Sequence, residues 1–136
     1  MDPQATWNRM LDAWKHQCWE ELQEAATDLG DWTSRGGFPP EVQTEDRMGM
    51  LWNRAVARAV CELAINICWQ VFQSPDGIPH GLPFSLSCVD CDVDSPPNYE
   101  AARTAGWTGI EFRPDMQAAI FRGYCPKHIP EPPWVT

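Results

Sequence analysis

The sequence lacks several features that would place the protein in a familiar class. No stretch approaches the roughly 18 consecutive apolar residues of a membrane-spanning helix. The first residues lack the basic start and apolar run of a secretory signal. The motifs G-x-x-x-x-G-K-[ST], G-x-G-x-x-G, H-E-x-x-H and G-x-S-x-G are also missing. We therefore expect a cytoplasmic protein without a membrane segment, and nothing in the sequence favours an enzyme.

Basic residues are scarce. The 136 residues hold 10 Lys and Arg against 19 Asp and Glu, a net charge of -9. This charge repels phosphate backbones and anionic membranes, so it disfavours direct binding to nucleic acid but permits a basic protein partner. Apolar residues make up 43% and charged residues 21%, which is the composition of a folding chain. The length suits one domain, or a small domain with a satellite module.

The N-terminal segment predicts one long helix. Asp2 is a good N-cap, and Pro3 suits the first helical position. Apolar residues then recur at steps of three and four, which predicts a helix over residues 3–29 with Gly30 as its C-terminal cap. Four acidic residues on its polar positions form a surface that could contact a partner: Glu20, Glu21, Glu24 and Asp28.

A second helix is predicted after a loop rich in Gly and Pro. Thr44 can cap it, and a broad apolar stripe extends it over residues 44–73, where Ser74 and Pro75 follow. Two helices of similar length joined by a 13-residue loop predict an antiparallel hairpin over residues 1–73. A hairpin alone leaves half of each apolar face exposed. Its cover must come from the C-terminal module, a second copy or a partner protein.

The six cysteines fall into two groups. Cys18, Cys61 and Cys68 lie in the helix-periodic segments and are best explained as small core residues. The other three lie in a turn-rich segment: Cys88 and Cys91 form a C-x2-C pair, and Cys125 with His128 forms a C-x2-H pair.

These two pairs have the spacing of a zinc site. Each tight turn brings two side chains to one point, so Cys88, Cys91, Cys125 and His128 can surround a tetrahedral Zn²⁺. Four protein ligands leave no open position, which predicts a structural ion. The alternatives for the cysteines are incidental placement, a redox pair or an iron site. If His128 were not a ligand, three thiolates and a water would reopen the question of catalysis.

The residues between the two pairs predict a small α+β module over 84–129, joined to the hairpin by a linker at 74–83. Residues 98–105 can form a short helix closed by Gly106. Alternation over 107–112 predicts a strand, and 118–124 can return as a second strand of a β-hairpin. The whole chain is thus predicted to be α+β.

The pattern resembles small zinc-ribbon-type modules of uncharacterised bacterial proteins. The resemblance covers about residues 84–129 and rests on C-x2-C, the segment Glu100-Ala101-Ala102, the pair Gly106-Trp107 and the closing Cys125-Pro126-x-His128. Such modules usually have Cys at the last ligand position, where this chain has His128. The resemblance implies a structural zinc ion and no activity.

Two functions follow from these observations. The first is a non-catalytic, zinc-containing protein that binds a partner or a second copy through its helices. Eight tryptophans support it, since Trp is enriched in interface hot spots. Trp134 lies in the tail 130–136, which is predicted to be extended, with Trp134 either docked back onto the protein or available to a partner. The alternative is an acidic inhibitor that imitates nucleic acid, because residues 1–31 hold seven acidic residues against two basic ones.

Overall fold

The computed structural model describes residues 1–43 and 45–127. Within them lie four helices and one three-stranded mixed sheet, so the predicted α+β class is confirmed. The chain divides into two compact units, Met1–Gly77 and Ile78–Thr136. The elements in chain order are α1 (Pro3–Lys15), α2 (Trp19–Ser34), α3 (Met50–Gln73), β1 (Leu86–Cys88), α4 (Tyr99–Ala105), β2 (Thr108–Phe112) and β3 (Phe121–Tyr124).

The prediction of one helix over residues 3–29 is wrong, because the chain turns after Lys15 and starts a new helix at Trp19. Gln17 adopts a left-handed φ of 52°, and the Cys18 N–H reaches back 2.9 Å to the Ala13 carbonyl. The apolar spacing continues across this turn, which is why periodicity alone missed it. The predicted start is confirmed, since an Asp2 carboxylate oxygen accepts from the Ala5 N–H at 3.0 Å.

The C-terminal end of α2 also lies later than predicted. Gly30 is inside α2, which continues to Ser34. The glycine that terminates the helix is Gly36, whose φ is 86° and whose N–H donates to the Thr33 carbonyl at 3.2 Å. A left-handed residue just beyond a helix lets the backbone satisfy the last carbonyls.

The second predicted helix begins later than residue 44. α3 starts at Met50 after Gly49, whose φ of 92° is incompatible with a helical residue, while the predicted cap Thr44 lies outside the described residues. Its end at Gln73 agrees with the prediction. The predicted two-helix hairpin is therefore replaced by three helices.

Small residues allow the three helices of the first unit to pack closely. α2 packs along both α1 and α3. Its Ala25 and Ala26 are fully buried, as is Ala57 of α3. Larger core residues fill the space between these contacts: Trp7, Met10, Leu22, Leu29 and Cys61. α2 thus supplies much of the cover that the predicted hairpin lacked.

α3 is the one helix among the described residues that is long and apolar enough to cross a membrane. This follows from its length and composition only, and core helices of soluble proteins satisfy the same criterion. Ala57, Cys61, Ala64 and Cys68 bury one side of α3 in the core of the first unit. α3 therefore contributes one face to the core of the first unit.

In the second unit, α4 follows the prediction closely. Asn98 caps it by accepting from the Ala101 N–H at 2.8 Å, and Gly106 closes it with a φ of 100°. The predicted linker 74–83 contains no helix or strand, but Ile78 and Pro79 in its second half are buried. The compact unit therefore begins before the predicted start of the module at residue 84.

The sheet of the second unit has the strand order β1-β3-β2. β2 and β3 pair antiparallel, as expected for the predicted hairpin, although β3 begins only at Phe121. β1 was not predicted and pairs parallel to β3. Phe121 is 1% exposed. The centroid of its ring lies 5.0 Å from that of Phe84 and 5.4 Å from that of Phe112.

Candidate metal centre

The parallel pair of strands brings two of the cysteines together. Cys88 is the last residue of β1, and Cys125 directly follows β3. In the register of the two strands, Cys88 lies beside Gly123. Since the carboxyl ends of parallel strands lie at the same edge of a sheet, both thiols reach one point. The turn after β1 then carries Cys91 back toward them.

Backbone contacts hold this turn in place. The Val89 N–H donates to the Gly123 carbonyl at 2.9 Å, which extends the pairing of the two strands beyond Cys88. Gly123 has little room for a side chain, because a Cβ there would lie 3.1 Å from the Thr108 carbonyl oxygen. The close approach of β2 to β3 thus explains the glycine two residues before Cys125.

The three sulfur atoms are arranged closely enough to share one ion. The Sγ atoms of Cys88, Cys91 and Cys125 all lie within 4.8 Å of one another, and those of Cys91 and Cys125 are 3.7 Å apart. In a tetrahedral site with Zn–S bonds of about 2.3 Å, neighbouring sulfurs are about 3.8 Å apart. The sulfurs are not joined, and all six cysteines are free thiols. The cluster could therefore hold a metal ion.

Burial and hydrogen bonds act in opposite directions on Cys88. Burial would raise the pKa of its thiol, but the N–H groups of Cys125 and Asp90 and the neighbouring thiols donate to its sulfur and lower its pKa to about 6. The Cys125 N–H lies 3.5 Å from that sulfur. A thiolate therefore forms most readily at Cys88, which is 8% exposed.

The pKa of the Cys91 thiol is shifted in the opposite direction from that of Cys88. Burial raises the pKa of its thiol to about 11, and the neighbouring thiols, including the negative charge of Cys125, act in the same direction. Three thiolates so close together repel one another unless a cation lies between them. The arrangement therefore favours a bound cation over three charged sulfurs without one.

The cluster is the only group of three or more potential metal-ligating side chains that residues 1–43 and 45–127 bring together. The fourth predicted ligand, His128, lies outside the described residues, as does Trp134. Cys88, Cys91 and Cys125 thus meet as the spacing predicts. Sequence reasoning missed the parallel strand that aligns the two turns, because a parallel pairing has no spacing signature.

The remaining cysteines separate into buried and exposed thiols. Cys61 and Cys68 are core residues, 2% and 0% exposed. The Cys68 thiol donates to the Trp19 carbonyl at 3.3 Å, and the Cys61 thiol lies 4.0 Å from the Met10 sulfur. The prediction that Cys18 is a core residue is wrong. It is exposed because it lies in the turn between α1 and α2.

The four predicted acidic contact residues are all exposed on α2. Arg9 of α1 forms an ion pair with Glu21 at 2.6 Å and lies 3.8 Å from a Glu24 oxygen. The carboxylates of Glu20 and Asp28 complete this acidic surface of α2.

No family model, curated protein or solved structure matches the chain, so the geometry of the thiol cluster and of the helices is the basis for a functional proposal.

Proposed function

We propose that this protein is a non-catalytic, zinc-containing protein that binds another protein, with zinc as a structural element of its second unit. One observation carries the proposal: three thiols from two separate turns, none of them in a disulfide, meet within 4.8 Å at one edge of a sheet. Such a sheet is small, and a metal ion that links its two turns would supply stability that so short a segment cannot obtain from its core.

Zinc fits this donor set better than other ions. Thiolates are soft ligands that select Zn²⁺ or iron over Mg²⁺ and Ca²⁺, and the 3.7 Å between the sulfurs of Cys91 and Cys125 is close to the edge of a zinc–thiolate tetrahedron. His128 is the proposed fourth ligand, three residues after Cys125. Four protein ligands would close the coordination shell, so the ion would stabilise the fold and would not activate water.

Metal analysis of the purified chain tests this proposal. We expect equimolar zinc, and we expect Cys88→Ser, Cys91→Ser and Cys125→Ser each to lose it, because a hydroxyl does not replace a thiolate. Cys18→Ser removes an exposed thiol outside the cluster and should keep the zinc. Substitution with Co²⁺ should give intense tetrahedral absorption bands together with thiolate-to-metal charge transfer.

The variant His128→Ala separates a closed site from an open one. If His128 is a ligand, its loss should weaken zinc affinity about tenfold or more, and the Co²⁺ spectrum should change. An unchanged spectrum would indicate three thiolates and a water, and would favour a catalytic ion. Zinc-free protein that keeps its fold would contradict the structural role altogether.

Exposed apolar side chains support a role in protein binding. Leu51, Trp52 and Trp69 of α3 are 84%, 46% and 60% exposed. Large aromatic side chains on a surface are typical of protein–protein contacts. Six free thiols support a reducing compartment, the cytoplasm, as the location of the protein.

The alternative, an acidic inhibitor that imitates nucleic acid, is favoured by one observation. Glu20, Glu21, Glu24 and Asp28 are all exposed along one helix. Arg9 offsets part of this charge through its contacts with Glu21 and Glu24. Competition with double-stranded DNA for a basic DNA-binding protein would distinguish this function from the first.

A further inference from the structure

The three helices of the first unit leave an apolar groove between α1 and α3. Both helices pack along α2, whereas they pack less closely against one another. The groove between them has a volume of about 260 Å³, and all of its lining residues are apolar. Trp7, Leu11 and Trp14 of α1 form one wall, Leu63 of α3 is on the other, and Leu22 of α2 also lines it. We call this feature the α1–α3 groove.

A fourth helix would complete the packing of this unit. Helices bury their apolar stripes by packing against two neighbours, and the fourth position of a four-helix bundle lies between its first and third helices. Leu11 and Leu63, on opposite walls of the groove, are 43% and 47% exposed. An amphipathic helix that presents apolar residues at steps of three and four would cover both leucines.

Charge argues against a second copy as the occupant. Residues 1–77 contain twelve acidic and six basic residues, so two such units repel each other. A helix with apolar residues on one face and Lys or Arg on the other complements both the apolar groove and the net negative charge of this unit.

We propose that the α1–α3 groove binds a basic amphipathic helix of a different protein. The inference rests on the proposed function, because it names the class of partner that the zinc-containing protein would bind. The apolar side chains of that helix would lie between Leu11 and Leu63, and its basic side chains would be attracted by the net negative charge of this unit.

The test uses the full zinc-loaded chain and two synthetic helices of about five turns. Both carry leucines on one face, with lysines on the other face of the first peptide and glutamates on that of the second. We expect the lysine peptide to bind and to shift the indole N–H signals of Trp7 and Trp14 in NMR spectra. The glutamate peptide should bind about tenfold more weakly or not at all.

Two variants locate the binding site. Leu63→Glu and Leu11→Glu should each weaken binding of the lysine peptide about tenfold or more, although both add negative charge that would otherwise attract it. Each leucine is already about half exposed, so the helices should remain folded in both variants. Phe72→Glu is the matched control, because Phe72 of α3 is 47% exposed, as Leu63 is, and does not line the groove.

Four results would overturn the inference. The first is that neither peptide binds, and the second is that both bind equally well. The third is that the lysine peptide binds both groove variants as tightly as the parent chain, which would indicate the acidic surface of α2 instead. The fourth is that sedimentation shows a dimer that Leu63→Glu dissociates, which would make a second copy the occupant. Zinc content is measured for every sample, so a failed metal site and an empty groove give different results.

Discussion

The two cysteines of α3 differ in role from the three cysteines of the cluster. Cys61 and Cys68 are seven residues apart, about 10.5 Å along a helix, so they cannot share a tetrahedral ion. Burial raises the pKa of each thiol from 9.0 to about 11, with the charge of Glu62 adding to the effect on Cys61. Cys88 of the cluster instead receives hydrogen bonds from the backbone N–H groups of Cys125 and Asp90, which is why it can hold a charge. Cys61 and Cys68 are buried without such donors, so their thiols stay protonated and serve as core residues.

These raised pKa values predict a loss of stability at alkaline pH. The unfolded chain releases the protons of Cys61 and Cys68 near pH 9.0, whereas the folded chain keeps them up to about pH 11. Their contribution is therefore complete below pH 9.0 and is lost as the pH rises through about 11. We expect the free energy of unfolding to fall by up to about 2 kcal/mol per thiol over this range.

Urea denaturation of the zinc-loaded chain across this pH range measures the effect. Cys68→Ala should be less stable at neutral pH because it leaves a cavity, but its stability should fall less steeply above pH 9.0 than that of the parent. Cys18→Ala removes an exposed thiol and should leave the slope unchanged. Equal slopes for all three proteins would show that the buried thiols do not control the alkaline transition.

At the scale of elements, the turn between α1 and α2 has no Gly or Pro to mark it. Lys15 at the end of α1 and Glu20 and Glu21 at the start of α2 are the charges that complement two helix dipoles. This change from a basic to acidic residues is the sequence signal for the turn. The apolar periodicity continues across it and led to the prediction of one continuous helix. Gly30 and Gly36 were confused for a related reason, since a glycine near the end of a periodic stretch resembles a cap wherever it lies.

The two glycines of this region should respond oppositely to alanine. A Cβ on Gly30 would lie 3.7 Å from the Cys61 Cβ, an ordinary contact, so Gly30→Ala should stabilise the protein by about 0.5–1 kcal/mol. Gly36 has a φ of 86°, so Gly36→Ala should destabilise it by about 1 kcal/mol although the space there is open.

Thermal unfolding of the two single variants measures both changes, with the parent chain as the reference. A loss of stability in Gly30→Ala would mean that α2 and α3 pack more tightly than the 3.7 Å contact implies. A neutral Gly36→Ala would mean that the end of α2 can adopt another conformation at no cost.

At the scale of the whole molecule, the chain has two compact units with different sources of stability. The buried core cluster of Trp, Met, Leu, Ala and Cys residues belongs to the helices of Met1–Gly77. The second unit has a three-stranded sheet, one seven-residue helix and the thiol cluster. A metal ion would therefore matter more to the second unit than to the first.

Removal of zinc should accordingly act on one part of the chain. We expect chelation to increase hydrogen exchange in β1, β3 and the turn at Cys91, and to leave the protected amides of α2 and α3 unchanged. Hydrogen exchange of the zinc-loaded and chelated chain, measured by mass spectrometry of peptides, follows both regions at once. Cys88→Ser in the presence of zinc should reproduce the chelated pattern. An equal loss of protection in α2 and α3 would contradict the expectation that the two units have independent cores.

Local chemistry in the sequence was sufficient for several features. The cap at Asp2, the end of α3 before Pro75 and the short helix closed by Gly106 each depend on residues that are neighbours in the chain. The x2 spacing that places Cys88 and Cys91 on one turn is equally local. These features could be read from sequence because the atoms that decide them lie within a few residues of one another.

Tertiary structure decided the rest. The parallel pairing of β1 with β3, which aligns the two ligand turns, joins segments more than thirty residues apart. The α1–α3 groove exists only because the chain turns at Gln17 and sets both helices against α2. Such features depend on which distant surfaces bury each other most effectively, and periodicity along one segment carries no information about its partner.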